Sequence, residues 1–303
     1  MKILICTDGS DHAENAIRFG GLIASACAAG TTLLGITEDE GHKDEIFDSL
    51  KRGQQLLKDL KVEAEATSKA GNPITEIVKH TEHNQYDLVV IGAARKGSRG
   101  PFVLSAKAYK IVKEVEPPVL VVTEKRKELK RILICSSDKK SFDEAVEITA
   151  KIAKAAGADV TLFHVTAEPP LVYADLIQLE EDVDLLLESN SALARKIKGE
   201  QATLENEGVK ANVRLAHGHV TNEIIKKIRR DDSDLIVAGS SRSTGRLRNY
   251  VIGNITREIV NRAPCPVLVV RTDEGAKIGR RLKNIFGKIT GALSADDGKS
   301  DKN

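Results

Sequence analysis

ILICTDGSDHAENA, residues 3–16, lies without a gap over ILICSSDKKSFDEA, residues 132–145, at an offset of 129 positions. Each stretch opens as an apolar run, turns through polar residues and enters a segment with alanines at helical spacing. Two further matches follow in the same order. GNPITEIVKHTEHNQYDLVVIG (71–92) lies over GHVTNEIIKKIRRDDSDLIVAG (218–239) at an offset of 147, and PPVLVV (117–122) over CPVLVV (265–270) at an offset of 148. Three ordered matches identify a duplicated domain. Growth of the offset from 129 to 147 places about eighteen extra residues in the second copy, between Thr166 and Gly218. The charged EKRKELK (124–130) falls where a linker belongs. The reading is a first domain over 1–124, a linker over 125–130, a second domain over 131–273 and a tail over 274–303.

Within each copy, short apolar runs alternate with helical patterns. KILIC is followed by Ala13, Ala16, Ile17, Gly20, Ile23, Ala24 and Cys27 at helical spacing, then by the run TTLLGIT. Ile46, Phe47, Leu50 and Leu57 mark a second helix. KVEAEAT, a helix opened by Pro73, the run DLVVIG, a last helix and PVLVV complete the unit. Strands that read as continuous Val, Ile and Leu, each followed by a helix, are buried on both faces of a parallel sheet. The fold class is therefore α/β: two doubly wound, Rossmann-like domains of about five parallel strands each. Such sheets bind ligands beyond the carboxyl ends of their strands. PVLVV at the end of each copy would be an exposed apolar edge if the copies stood apart. Residues 119–122 are expected to pair with 267–270 within one chain, giving a pseudo-twofold.

Composition excludes several classes. With 303 residues, 41% hydrophobic and 30% charged, the chain has no apolar run of about eighteen residues that would span a membrane. The N-terminus enters a strand directly, so no signal peptide is expected and the location reads as cytoplasmic. Cys6, Cys27, Cys135 and Cys265 are dispersed without CxxC spacing, as buried thiols are. A net charge of +2 and 3% aromatic residues argue against nucleic acid as a partner. Gly298, Lys299 and Ser300 resemble the end of a P-loop, but Leu293 stands where its first glycine belongs. His217 and His219 flank Gly218 with no third ligand at suggestive spacing, so they read as a polar loop end and no metal is assigned. No HExxH or GxSxG occurs, and no catalytic residue is assigned.

Two segments stand outside the repeat. In the insertion, Leu179, Val183, Leu186, Leu187, Leu193, Ala194 and Ile197 recur at helical spacing from Leu176 on. They predict one helix of over twenty residues facing the core, with a projecting, partner-binding helix as the alternative. In the tail, Lys277, Arg280, Arg281, Lys283 and Lys288 accompany Ile278, Leu282, Ile285, Phe286, Ile289 and Leu293. A helix both basic and amphipathic over 277–293 suits an anionic membrane surface, hence peripheral membrane association, or a protein partner; packing back on the domains is the alternative.

The ordered set of ILICTDGSDHAENA, DLVVIG, a glycine-bearing loop and PCPVLVVR resembles the universal stress protein family in a tandem two-domain form, over about residues 1–272. That resemblance implies the adenine-nucleotide alpha-hydrolase-like variant of the fold. In its nucleotide-binding branch, the loop after the fourth strand runs Gly, two residues, Gly, nine residues, Gly, then Ser or Thr. Glycines let the backbone approach phosphates, and the following helix offers free N–H groups and a positive dipole end.

Both copies depart from that pattern. The first keeps Gly92 but has Arg95 and Ser105 at the other two glycine positions. The second keeps Gly239 and Gly253, has Arg242 for the middle glycine, and carries one extra residue. Conversely, Asp8 matches the acidic residue that family members place against the nucleoside, where the second copy has Ser137. The resemblance thus assigns ATP or a related adenine nucleotide to the second copy. It carries over Cys135 and Ser137 at the first strand, Val165 beside the adenine, Gly239, Ser241 and Arg242 in the loop, and Gly253, Asn254, Ile255 and Thr256 at the helix start. Arg242, Arg246 and Arg248 would replace lost glycine contacts with charge-assisted hydrogen bonds. Asp8, Ile36 and Gly92 make the first copy the weaker candidate. The implied function is a cytoplasmic stress-response regulator that tunes a partner, with homodimerisation open and at most slow ATP hydrolysis as enzymatic activity. The alternative is a regulatory or scaffolding module whose nucleotide sites are vestigial.

Overall fold

The computed structural model describes residues 1–38, 43–96, 103–136, 142–166, 183–242 and 250–271. The first copy runs β1 (Lys2–Thr7), α1 (Asp11–Ala26), β2 (Gly30–Thr37), α2 (Lys43–Asp59), β3 (Ala64–Ala70), α3 (Pro73–His83) and β4 (Leu88–Gly92). A small hairpin of β5 (Arg95–Lys96) and β6 (Val103–Leu104) then leads into α4 (Ala106–Glu114) and β7 (Val119–Val122). The second copy runs β8 (Arg131–Cys135), α5 (Asp143–Ala156), β9 (Asp159–Thr166), α6 (Val183–Glu188), α7 (Ala192–Asn206) and β10 (Ala211–His217). It continues through α8 (Val220–Asp231), β11 (Leu235–Arg242), β12 (Tyr250–Val251), α9 (Asn254–Arg262) and β13 (Val267–Arg271).

Each copy orders its strands alike, β3-β2-β1-β4-β7 and β10-β9-β8-β11-β13, and pairs them in parallel. Strand order reverses between β1 and β4, and between β8 and β11, which opens a crevice at the carboxyl ends. The expected pairing of the two terminal strands is present. β7 and β13 run antiparallel with Val121 opposite Val267, Leu120 opposite Leu268, and Val119 opposite Val269. Leu120 and Leu268 are equivalent positions of the repeat, so each faces its own counterpart, and the two copies are related by a pseudo-twofold.

Strand residues alternate between the two faces of this joined sheet. Ile3, Ile5, Leu120, Ile134 and Leu268 enter the core on one face; Leu4, Val121, Leu133 and Val267 enter the core on the other. Both cores therefore draw on both copies. The aspartate ahead of each fourth strand fastens the start of the first. Asp87 Oδ2 accepts from the Lys2 amide at 2.7 Å. Asp234, 1% exposed, accepts from the amides of Lys130 and Arg131 at 3.0 Å each, with the Arg131 and Arg126 guanidinium groups 3.5 and 3.8 Å from its other oxygen. Gly92 ends β4 where α1 packs closest. A Cβ there would sit 2.3 Å from the His12 carbonyl oxygen, so no other residue fits.

Two expectations need revision or fall outside the described residues. The insertion holds two helices rather than one, because Ser189 Oγ donates to the Leu186 carbonyl at 2.7 Å and Ser191 Oγ caps α7 by accepting from the Ala194 amide at 3.0 Å. Short polar side chains that bond the backbone locally interrupt a helix. Its inward positions Ala194, Ile197 and Leu204 are buried as a core-facing segment requires. Phe47 is not on the core face of α2 but 58% exposed, beneath the Lys51 ammonium at 4.4 Å. The tail helix over 277–293 and the start of the insertion at Leu176 and Leu179 lie outside the described residues. Cys6, Cys135 and Cys265 are buried, Cys27 is half-buried, and all four are free thiols. No helix among the described residues is long and apolar enough to cross a membrane.

Replacing Asp234 by Ala strands two half-buried amides and an arginine cluster, and should cost about 2 kcal/mol in urea unfolding. Asp87→Ala, which frees one exposed amide, should cost about 1 kcal/mol. Gly92→Ala must push the backbone of α1 off β4 and should cost about 3 kcal/mol in the same measurement.

Candidate functional site

In the first copy, the turn after β1 is braced from within. Asp8 Oδ1 accepts from the Ser10 amide at 3.1 Å and from Ser10 Oγ at 2.6 Å, and Ser10 Oγ in turn accepts from the Ala13 amide to cap α1. Thr7 Oγ1 accepts from the Gly9 amide and lies 3.2 Å from Ser49 Oγ on α2. These bonds hold Asp8 at the mouth of a cleft of about 780 Å³, within the range of small-molecule sites. Ile36 from β2 and Gly92 from β4 line the same cleft, so the three first-copy residues named from sequence come together. Cys6 forms part of the floor, and burial pushes its thiol well above the usual range, leaving it neutral.

Four residues of this cleft were not assigned to a site from the sequence. His12 lines it, with Nδ1 buried and no hydrogen-bond partner among the described residues. Glu38 after β2 and Lys107 in the first turn of α4 form an ion pair, and both line the cleft. Ser105 caps α4 by accepting from the Ala108 amide at 3.2 Å. The last was detectable: a serine directly before a helical run is an N-cap signal.

In the second copy, Cys135 ends β8 and Gly239 lies on β11, with Cys135 in register with Ala238 and with Phe163 of β9. Val165 stands two residues beyond Phe163, at the carboxyl end of β9. Burial, assisted by Cys265, pushes the Cys135 thiol up to about 12, so it too is an apolar surface and not a nucleophile. The Thr256 hydroxyl donates to the Gly239 carbonyl at 2.6 Å and fastens the start of α9 to β11. Gly253, Asn254, Ile255 and Thr256 are thereby held at the same end of the sheet as Cys135, Val165 and Gly239. Ser241 and Arg242 pair through their backbones with Val251 and Tyr250. Their side chains, Ser137, Arg246 and Arg248 lie outside the described residues.

The two copies differ at their helix starts. α3 is capped by Asn72, whose Oδ1 accepts from the Ile74 and Thr75 amides, and α4 by Ser105. Their counterparts α8 and α9 begin at His219 and Gly253, neither of which makes a side-chain cap. A cavity of about 450 Å³ lies between these starts, lined by Gly218, His219 and Asn254 among others. Uncapped helix starts present free N–H groups and the positive end of the dipole. His219 thus belongs to this cavity, while His217 Nδ1 lies 2.6 Å from Thr166 Oγ1.

A second contrast lies under the first-strand turns. Where the first copy has Thr7 against Ser49, the second has a charged group. Ser136 Oγ donates to Glu200 Oε2 at 2.8 Å, and Lys196 Nζ lies 3.2 Å from Ser136 Oγ and 3.3 Å from Glu200 Oε1. Burial raises the Glu200 carboxyl pKa, opposed by Lys196 and the Ser136 hydrogen bond.

The universal stress protein family model matches the chain twice, over residues 1–123 and 128–271. A universal stress protein of Synechocystis sp. strain PCC 6803 is 23% identical over 308 positions, covering 89% of this chain and 99% of its own. One from Methanocaldococcus jannaschii is 30% identical over 143 positions, 47% of this chain and 82% of its own. The solved structure of a universal stress protein from Archaeoglobus fulgidus shares the fold with a TM-score of 0.69 at 18% identity, covering 90% of this chain and 98% of that one. With two matched units joined through β7 and β13, the chain belongs to the universal stress protein family in its tandem two-domain form.

Proposed function

We propose that this protein is a nucleotide-responsive regulator that binds ATP or a related adenine nucleotide in its second copy. One observation carries the reading: the two helices that converge on the second-copy cavity begin without side-chain caps, whereas both first-copy counterparts are capped. Phosphate oxygens would take up the free amides at the start of α9, where Gly253 gives the backbone room. Among the described residues, a Cβ on Gly253 would meet no heavy atom within 4 Å. Thr256 keeps that start in place through its bond to Gly239. Cys135 and Val165 would supply the neutral, apolar surface against which the base lies, with Ser137, Ser241, Arg242, Asn254 and Ile255 completing the site. Nothing in this arrangement requires a reaction; binding itself is the signal.

Calorimetry with ATP should find about one site per chain, abolished by Gly253→Trp, which obstructs the helix start. Gly253→Ser is the finer test. The serine should cap α9 as Ser105 caps α4, leaving thermal stability unchanged or raised by a few tenths of a kcal/mol. It should also weaken ATP by about tenfold, the cost of one charge-assisted hydrogen bond. Two equal sites, or undiminished ATP binding by Gly253→Trp, contradict the assignment.

A further inference from the structure

The joined sheet has two outer edges, β3 in the first copy and β10 in the second. Each is a seven-residue strand with a row of backbone donors and acceptors turned away from the sheet. The two are finished differently. On β10, the amide of Gly218 just past the strand donates to the Thr166 carbonyl of β9 at 3.0 Å. Backbone groups alternate sides along a strand, so Val213 presents its carbonyl outward. Arg214 Nη1 donates to that carbonyl at 2.9 Å, which blunts the edge.

The edge of β3 is left open. The amide of Gly71 donates to the Thr37 carbonyl of β2 at 2.8 Å. By the same alternation, Glu65, Thr67 and Lys69 bond to β2, while Ala64, Ala66, Ser68 and Ala70 present N–H and C=O outward. Gln54 of α2 donates to the Ala64 carbonyl at 3.2 Å; the outward groups of Ala66, Ser68 and Ala70 have no partner among the described residues. These three residues are exposed, so neither α2 nor α3 covers the edge. Every residue whose backbone faces out is Ala or Ser, and no bulky side chain stands in the way of an incoming strand.

The charges on β3 select which strand that is. An outward residue bonds only to another outward residue, so two β3 strands pairing antiparallel must place their twofold axis on a residue and not between two. With the axis on Thr67, the midpoint of the strand, Ala66 exchanges both bonds with Ser68 of the second molecule, and Ser68 with Ala66. Glu65 then faces Lys69 on either side of the axis, in the non-hydrogen-bonded positions where Cα atoms approach to about 4.5 Å and side chains lie closest. Both charged residues are exposed, and neither has an ion pair among the described residues. Thr67 meets its own counterpart, a favourable cross-strand pair. A lysine on an edge ordinarily discourages pairing. Here the same strand carries the opposite charge at the symmetric position, so the lysine is satisfied in one register. The equivalent axis on β10 would set Arg214 against Arg214.

We propose that β3 is a homodimerisation edge, at which two molecules join their sheets antiparallel about Thr67 with Glu65 of each against Lys69 of the other. The joint is of the kind that β7 and β13 already make within one chain. It rests on a single strand pair and exposed charges, so association is weak, reversible and weakened by salt. No residue of β3 lines either described cavity, so association and nucleotide binding are read separately.

The test is sedimentation equilibrium of the full chain over a range of protein concentration, where a monomer–dimer equilibrium is expected. Ala66→Pro removes an outward N–H and no bond within the chain, so it should abolish the dimer and leave urea unfolding nearly unchanged. Glu65→Lys and Lys69→Glu each make both cross-strand pairs like-charged, and each should weaken the dimer at least about tenfold. Mixed one to one, these two variants are complementary again in the same register and should associate about as tightly as the unsubstituted chain. Amide exchange at Ala66 and Ser68 should slow as the concentration of the unsubstituted chain rises. A chain that stays monomeric up to about 1 mM, a dimer indifferent to Ala66→Pro, or charge variants that fail to associate on mixing overturns the proposal. If Ala66→Pro disturbs folding, the charge variants and their mixture decide.

Discussion

The antiparallel contact of β7 with β13 is the constraint on which the rest of the molecule depends. Each copy ends on a four- or five-residue apolar strand whose outer edge has no partner within its own domain, and such an edge must be covered. Setting Leu120 against Leu268 covers both edges at once and merges two sheets into one. It also brings α4 and α9 side by side. The Leu104 amide donates to Asn261 Oδ1 on α9 at 2.8 Å, the Arg257 guanidinium lies over the Tyr109 ring, and buried Arg271 donates to the Lys113 carbonyl at the end of α4. Both helices whose starts line the described cavities are thus anchored across the pseudo-twofold, and the geometry of each cavity is partly set by the other copy.

Upon this shared frame the two copies differ in a few side chains at their helix starts and first-strand turns. Ser105 and Gly253 occupy matching positions, and the difference between them is one hydroxyl that either satisfies a helix amide internally or leaves it for something else. Thr7 against Ser49 is a neutral contact; Ser136, Glu200 and Lys196 make a charged one at the same place. A buried ion pair of this kind adds little net stability and much directionality. Neither change disturbs the strands beneath, because the residues that fasten those strands, Asp87 and Asp234, lie at the far end of the sheet.

Legibility from sequence followed the range of the interactions. β1 and β8 were readable because every residue of ILIC is apolar and the next residues turn; α3 because Asn72 and Pro73 announce its start. The β7–β13 contact was readable because an apolar edge in two copies has an evident solution. Phe47 falls at helical spacing beside Ile46 and Leu50, and only the packed structure shows that α2 turns it toward solvent. The break at Ser189 and Ser191 depends on local hydroxyl bonds that an apolar periodicity does not register. Glu38 with Lys107, 69 residues apart, and Ser136 with Glu200, 64 apart, are products of the tertiary fold and leave no local trace.

Joining the two copies in one chain changes what a substitution does. In a symmetric dimer built on the same strand contact, every replacement appears twice, so a serine that caps one helix start caps both. Here Leu120 meets Leu268, encoded separately, and each half keeps its partner at fixed stoichiometry whatever happens to its own cleft. One half is free to diverge while the other is kept, and the interface that would otherwise enforce sameness becomes the structure that holds two unlike halves together.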